Sequence, residues 1–175
     1  MNRAPAELQQ EGMTAFRSGQ LERAIQLFEQ ARSVFAAGRQ EGEAAEASNN
    51  LSVALLMAER PREALQAAQG TAEVFTRLGD DRRAAQAFGN LASALEACGE
   101  LAAAESAYQE AARRFQQLGD EESRSVTLKA LSGLQLKDHR PLEAAATLQG
   151  GGGRPGLRSR LMQFLLRLLS KVRGG

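Results

Sequence analysis

The feature that most constrains this chain is an internal repeat of 40 residues. Four alanines mark the same place in four successive copies: Ala24, Ala64, Ala104 and Ala144. The second and third copies also end in the same Leu-Gly-Asp triplet, at 78–80 and 118–120. A period of this length indicates stacked supersecondary units, each of which buries its apolar face only against its neighbours. The function of such a chain is therefore expected to lie on a repeated surface rather than in one catalytic pocket.

Each copy has the pattern of two helices. Apolar residues recur at steps of three and four, as in Leu91, Ala94 and Leu95. A turn then separates the two halves of the copy, marked by Gly19, Pro61, Gly99 or Pro141. Ala, Glu, Gln, Leu and Arg are abundant and favour helices, and no segment shows the sustained alternation of a strand. The chain is predicted to be all-α.

The end of each copy carries the residues of a helix-to-helix turn. Gly79 and Gly119 suit the left-handed conformation that commonly ends a helix. Asp80 and Asp120 follow them and are expected to cap the next helix through their side-chain oxygens. The Leu-Gly-Asp triplet therefore predicts the junction between one copy and the next.

The repeat resembles the tetratricopeptide repeat (TPR) family, in its extended subclass with units of about 40 residues, as in kinesin light chains and many bacterial regulators. In the first copy the resemblance is carried by Gly12, Ala24, Phe28 and Ala31. In the third copy it is carried by Leu91, Gly99, Ala104, Tyr108 and Ala111. The resemblance implies a right-handed α-solenoid of antiparallel helix pairs.

The predicted organisation has three parts. Residues 1–149 form a TPR-like array of about 3.5 repeats, divided as 4–40, 41–80, 81–120 and 121–149. Residues 150–156 are a Gly-rich linker. Residues 157–173 form an extra C-terminal helix that is basic and amphipathic.

The resemblance also implies a non-catalytic scaffold or adaptor that binds a peptide or a partner helix in a concave groove lined by the first helices. The groove residues predicted on this basis are Met13, Arg17, Asn49, Asn50, Val53, Met57, Asn90, Ser93, Lys129 and Lys137. Asn50 and Asn90 share one repeat position, and an asparagine amide can bond both the N–H and the C=O of an extended peptide. The two asparagines could equally bond neighbouring helices or water.

The C-terminal segment differs from the array in charge. Residues 1–153 carry 16 basic and 21 acidic residues, a net charge of −5, whereas residues 154–175 carry six basic residues and no acidic one. On a helix the segment would place apolar residues on one broad arc and cations opposite. Its predicted contact residues are Leu161, Phe164, Leu165, Leu168, Arg160, Arg167 and Lys171. Three roles stay open: a cap on the array, attachment to an anionic membrane surface, and a protein contact such as self-association.

No residue pattern indicates catalysis or a cofactor. His139 is the only histidine and has no predicted partner for a metal site or a nucleophile. The glycines at 150–153 lack the Lys-Ser/Thr of a phosphate-binding loop. A net charge of +1 gives no reason to expect a nucleic acid partner. We see no secretory leader, no bilayer-spanning apolar run and no second cysteine beside Cys98, so we expect a cytoplasmic protein, with peripheral attachment to the membrane as the alternative.

Overall fold

The computed structural model describes residues 4–150, and every regular element within them is an α-helix. The helices are α1 (Pro5–Arg17), α2 (Leu21–Ala37), α3 (Glu41–Met57), α4 (Pro61–Ala68), α5 (Thr71–Arg77), α6 (Asp81–Ala97), α7 (Leu101–Gln117), α8 (Glu121–Lys137) and α9 (Pro141–Gly150). The predicted all-α class is confirmed. Within this part of the chain, no helix is both long and apolar enough to cross a membrane.

The helices pack largely in sequence order, and the two short helices α4 and α5 together take one place in the stack, each packing on α3 and α6. The contacts run from α1 to α2, from α2 to α3, and onward to α8 and α9. The four alanines that mark the repeat lie in the core, with exposed fractions of 0–2%. A side chain of one methyl group allows two helix backbones to approach closely, so the repeated alanine sets the spacing of each pair.

Among residues 4–150, seven turns recur at intervals of 20 residues with the same backbone conformation. Positive φ angles of 57–81° occur at Gly19, Arg39, Glu59, Gly79, Gly99, Gly119 and His139. In each turn the next backbone N–H donates to a carbonyl five residues earlier, as from Asp120 to Phe115 at 2.9 Å. This closure satisfies a carbonyl at the helix end. The left-handed conformation predicted for Gly79 and Gly119 is confirmed.

The predicted helix caps at the two Leu-Gly-Asp junctions are also confirmed. The backbone N–H of Arg83 donates to Asp80 Oδ1 at 2.9 Å, and that of Ser123 donates to Asp120 Oδ1 at 3.0 Å. These bonds hold the pKa of both carboxyl groups below its usual value. The turn and the cap together fix where α6 and α8 begin.

Replacing His139 with glycine is expected to stabilise the array by about 1 kcal/mol, because a residue with a Cβ is strained at positive φ. His139 has φ 58° and its side chain is exposed, so the substitution removes no buried contact. The matched control is Gly99→His, which introduces the same strain at the same point of the preceding repeat. Urea unfolding measures both. A stability loss in His139→Gly would contradict this account of the turns.

The second repeat departs from the expected two helices. Its second half is broken into α4 and α5, where Gln69 takes an extended conformation (ψ 131°) and Gly70 takes φ 80°. The Thr71 hydroxyl bonds across the break by donating to the Ala68 carbonyl at 2.8 Å. Gln30 and Glu110 stand at the position of Gly70 in the first and third repeats. The helix ends there because glycine alone adopts this conformation without strain.

Candidate functional site

A groove of about 530 Å³ lies where the first helices of repeats two, three and four approach one another. We call it the asparagine groove. Helix α3 contributes Asn49 and Asn50, and helix α7 contributes Tyr108 and Phe115. The remaining lining residues lie on α6 and α8: Gln86, Gly89, Asn90, Ser93, Glu122, Ser123, Val126, Thr127 and Ala130. Its surface is thus mostly amide, hydroxyl and apolar, with one carboxylate.

The asparagines of this groove have two different environments. The Asn90 side-chain N–H donates to Asn49 Oδ1 at 3.0 Å and so joins α6 to α3. Among residues 4–150, the side-chain amide of Asn50 has no hydrogen-bond partner, although the residue is half-buried in the groove wall. Asn90 therefore has a structural bond, whereas Asn50 presents a donor and an acceptor to whatever lies in the groove.

Tyr108 connects the wall of the groove to the charged residues beside it. Its hydroxyl donates to Glu96 Oε2 at 3.0 Å and lies 3.1 Å from Ser93 Oγ. Lys137 Nζ reaches the other oxygen of Glu96 at 2.6 Å. Residues from α6, α7 and α8 are thereby held in one network at the edge of the groove.

Burial raises the pKa of Tyr108 to about 12 from its ordinary value of 10.0, and the neighbouring Glu96 carboxylate adds to the shift. The chain holds one tyrosine and no tryptophan. Tyrosinate absorbance therefore reports this residue alone. We expect its titration midpoint near pH 12 in the folded array.

This pKa shift makes the stability depend on pH in a defined window. Between pH 10 and pH 12 the folded chain holds the Tyr108 proton while the unfolded chain has released it. Stability is therefore expected to fall as the pH rises through that window. A midpoint near 10 in the folded protein would show that the hydroxyl is not buried as described.

The structure brings together four of the ten predicted groove residues: Asn49, Asn50, Asn90 and Ser93. The other six lie outside the lining of this groove. Met13 packs against the core, Val53 is half-buried, and Arg17, Met57 and Lys129 are exposed. Lys137 pairs with Glu96. The predicted tail residues, from Arg160 to Lys171, lie outside the described residues, as do residues 151–156 of the predicted linker and the predicted C-terminal helix. The first linker residue, Gly150, is described and is the last residue of α9.

Several groove residues were not among those predicted. Gln86 lies four residues before Asn90 on α6, so the shared helix face would have indicated it. Tyr108 and Phe115 belong to the second helix of repeat three, and only the angle between helices decides whether they reach the groove. Among residues 4–150, no group of three or more His, Cys, Asp and Glu side chains is placed to hold a metal ion.

Solved structures with the same arrangement define the class of the fold. BtubC (BKLC) from P. vanneervenii superposes with a TM-score of 0.77 at 19% identity, over 93% of this chain and 66% of that one. A putative kinesin light chain from Podosopora anserina, with TPR-like repeats, gives 0.74 at 17% identity, over 86% and 75%. A Rap protein complexed with competence and sporulation factor gives 0.71 at 14% identity, over 86% and 44%. The chain thus spans just under two thirds of BtubC and less than half of Rap.

These likenesses define the chain as a TPR-like helical repeat protein, which confirms the resemblance drawn from its sequence. Families of this fold are generally non-catalytic scaffolds for protein interaction. No curated protein matches the chain. The family model of the soluble NSF attachment proteins, SNAP, matches residues 2–166, and the chain belongs to that family.

Proposed function

We propose that this protein is a non-catalytic adaptor that binds an extended segment of a partner protein in the asparagine groove. The observation that carries the proposal is the Asn50 amide, which lies in the groove wall with no hydrogen bond among residues 4–150. A polar group in a partly desolvated wall is stabilised when a ligand supplies the missing bonds. The N–H and C=O of a peptide backbone match a side-chain amide in both donor and acceptor.

The rest of the groove supports the same kind of ligand. Val126 is 62% exposed and offers an apolar contact for a side chain of the bound segment. Asn49, Asn90 and Ser93 are already bonded within the protein, so they shape the groove more than they select a ligand. Backbone recognition with one apolar contact gives affinity with modest side-chain selectivity. The Rap structure, which contains competence and sporulation factor, and the SNAP family name support a binding role for the fold.

The test uses peptides selected from a random library on the immobilised full chain. Asn50→Ala is expected to lower their affinity about five- to tenfold, which is the loss of roughly one hydrogen bond or slightly more. It should leave the unfolding midpoint unchanged because the Asn50 side chain has no hydrogen bond within residues 4–150 to lose. Unlike Asn50→Ala, the variant Asn90→Ala should lower the free energy of unfolding slightly, because it removes the hydrogen bond to Asn49.

The matched control is Gln10→Ala. Gln10 occupies the repeat position of Asn50 in the first copy but lies outside the asparagine groove. Equal affinities for the parent protein, Asn50→Ala and Gln10→Ala would remove Asn50 from the mechanism. Failure to enrich any peptide would count against the groove as a peptide site.

A second candidate function is attachment to an anionic membrane surface through residues 157–173, in a protein of the cytoplasm. The observation that favours it is the sequence pattern of six basic residues and no acidic residue between 154 and 175. Co-sedimentation with anionic vesicles tests it, using the full chain and a version that ends at Gly153. Equal pelleting of the two would exclude this function. Self-association through the same segment is measured in parallel by light scattering without vesicles.

A further inference from the structure

A second groove, of about 540 Å³, lies where the end of α2, the start of α3 and the break between α4 and α5 meet. It shares no lining residue with the asparagine groove. Ala44, Ala45 and Val74 give it an apolar floor, and Arg32, Arg39 and Arg77 stand around that floor. We call it the arginine groove.

The charge of the arginine groove is unbalanced. Within the described part of the chain, the one acidic residue that lines it is Glu41, which bonds Arg77 at 2.8 Å. Among residues 4–150, Arg32 and Arg39 form no ion pair. The groove therefore presents two uncompensated guanidinium groups beside an apolar surface, an arrangement that favours carboxylates next to apolar side chains.

The groove exists because repeat two has smaller residues than repeat three at equivalent positions. Phe88 of α6 stands where α3 has Ser48, and Arg114 of α7 stands where α5 has Val74. In repeat three the Arg114 guanidinium stacks on the Phe88 ring at 5.1 Å, and Glu110 holds it at 2.7 Å. Gly70 replaces that glutamate in repeat two, and the helix breaks there. The place filled by Phe88 and Arg114 in one repeat is thus left open in the other.

Arg39, which lines this groove, has a backbone conformation that is unfavourable for a residue with a Cβ. It is one of three non-glycine residues among the seven left-handed turns, with φ 57°. Glycine, which four of the other turns have, would relieve this strain and remove the cation. The strained conformation belongs to the repeated turn, and in this turn the residue also places an unpaired cation beside the groove.

We propose that the arginine groove binds an acidic, amphipathic segment of a partner protein. An apolar side chain of that segment lies on the floor formed by Ala44, Ala45 and Val74, and its carboxylates pair with Arg32 and Arg39. The basic segment at 154–175 of this chain has the wrong charge to be the occupant. The site is separate from the asparagine groove and does not depend on binding there.

The probe is a short dye-labelled peptide of Glu and Leu, compared with peptides in which Lys or Gln replaces Glu. Fluorescence anisotropy with the full chain measures affinity. The Glu peptide is expected to bind at least about tenfold more tightly than the Lys peptide, a difference that should shrink as ionic strength rises. Equal binding of the two, or no binding of the Glu peptide, would overturn the proposal.

Two variants locate the binding. Arg39→Gly is expected to weaken the Glu peptide about threefold or more while raising the unfolding midpoint, a combination that a purely structural residue does not give. Its control is Glu59→Gly, which relieves the same strain (φ 58°) at a turn outside the groove and should leave the affinity unchanged.

The variant Ser48→Phe copies the aromatic residue that fills this place in repeat three into the lining of the arginine groove, and it adds no cation. It should abolish binding of the Glu peptide and leave peptides of the asparagine groove unaffected. Circular dichroism verifies that the variant is folded, and Arg39→Gly decides the matter if it is not. Full affinity in either variant would show that the acidic peptide binds elsewhere.

Discussion

Replacing Phe28 with alanine is expected to lower the free energy of unfolding by about 3–5 kcal/mol, the usual cost of truncating a buried phenylalanine. Phe28 is 1% exposed and lies in the core between the first two repeats. Its ring packs on the backbone of α1 at Gly12, where an added Cβ would come within 2.7 Å of the ring. Because backbone forms one wall of the cavity, little can move in to fill the space.

Urea unfolding followed by circular dichroism measures this loss. The control is Val34→Ala on the same helix, where the side chain is 42% exposed and the expected change is within about 0.5 kcal/mol. The helical repeat is quasi-one-dimensional, so the loss should appear as melting that begins at the first two repeats. If Phe28→Ala and Val34→Ala cost the same, the described packing of α1 on α2 is wrong.

Replacing Gly89 with phenylalanine is expected to weaken binding in the asparagine groove by about 100-fold or more, because the new ring takes the place of the ligand. Gly89 lies on α6 in the lining of the groove, and a Cβ added there meets nothing within 4 Å. The fold should be unharmed, since glycine in a helix interior costs up to about 1 kcal/mol relative to better helix formers.

The matched control for this variant is Gly133→Phe. Gly133 lies in the interior of α8, and an added Cβ there also meets nothing within 4 Å, but the residue is outside the groove lining. The two variants should have similar stability, but only Gly89→Phe should weaken binding. Selected peptides that bind Gly89→Phe as tightly as the parent would show that they do not occupy this groove.

The sequence predicted the helices and their turns because these depend on local residues that recur. Gly79 stands where the backbone must take a left-handed conformation, which glycine adopts without strain. Asp80 stands where a side-chain oxygen can accept a hydrogen bond from the first turn of the next helix. The break at Gln69 and Gly70 was not predicted, because one glycine within a helical pattern is often tolerated. Arg39 was not predicted to have positive φ, since only the periodic recurrence of the turn requires it.

The contacts within the asparagine groove were harder to predict from the sequence than the helices were. Asn50 and Asn90 share a repeat position, yet the Asn90 side chain bonds that of Asn49, whereas the Asn50 side chain bonds no residue of 4–150. That difference depends on how α6 is rotated against α3, which the pattern of apolar residues does not specify. The contacts of Tyr108 could not be predicted either. Its position in the apolar pattern of α7 indicates that the ring is buried, but not that the hydroxyl reaches Ser93 and Glu96 at the groove.

The most direct test of the central claim follows the intrinsic fluorescence of Tyr108 while a selected peptide is titrated into the protein. Tyr108 is the one tyrosine of a chain without tryptophan, and it lines the asparagine groove. A peptide without aromatic residues adds no fluorescence of its own to this signal. The account predicts a saturable change in the parent and in Gly133→Phe, and none in Gly89→Phe. Peptide binding without any change at Tyr108, or an unaltered titration in Gly89→Phe, would contradict it.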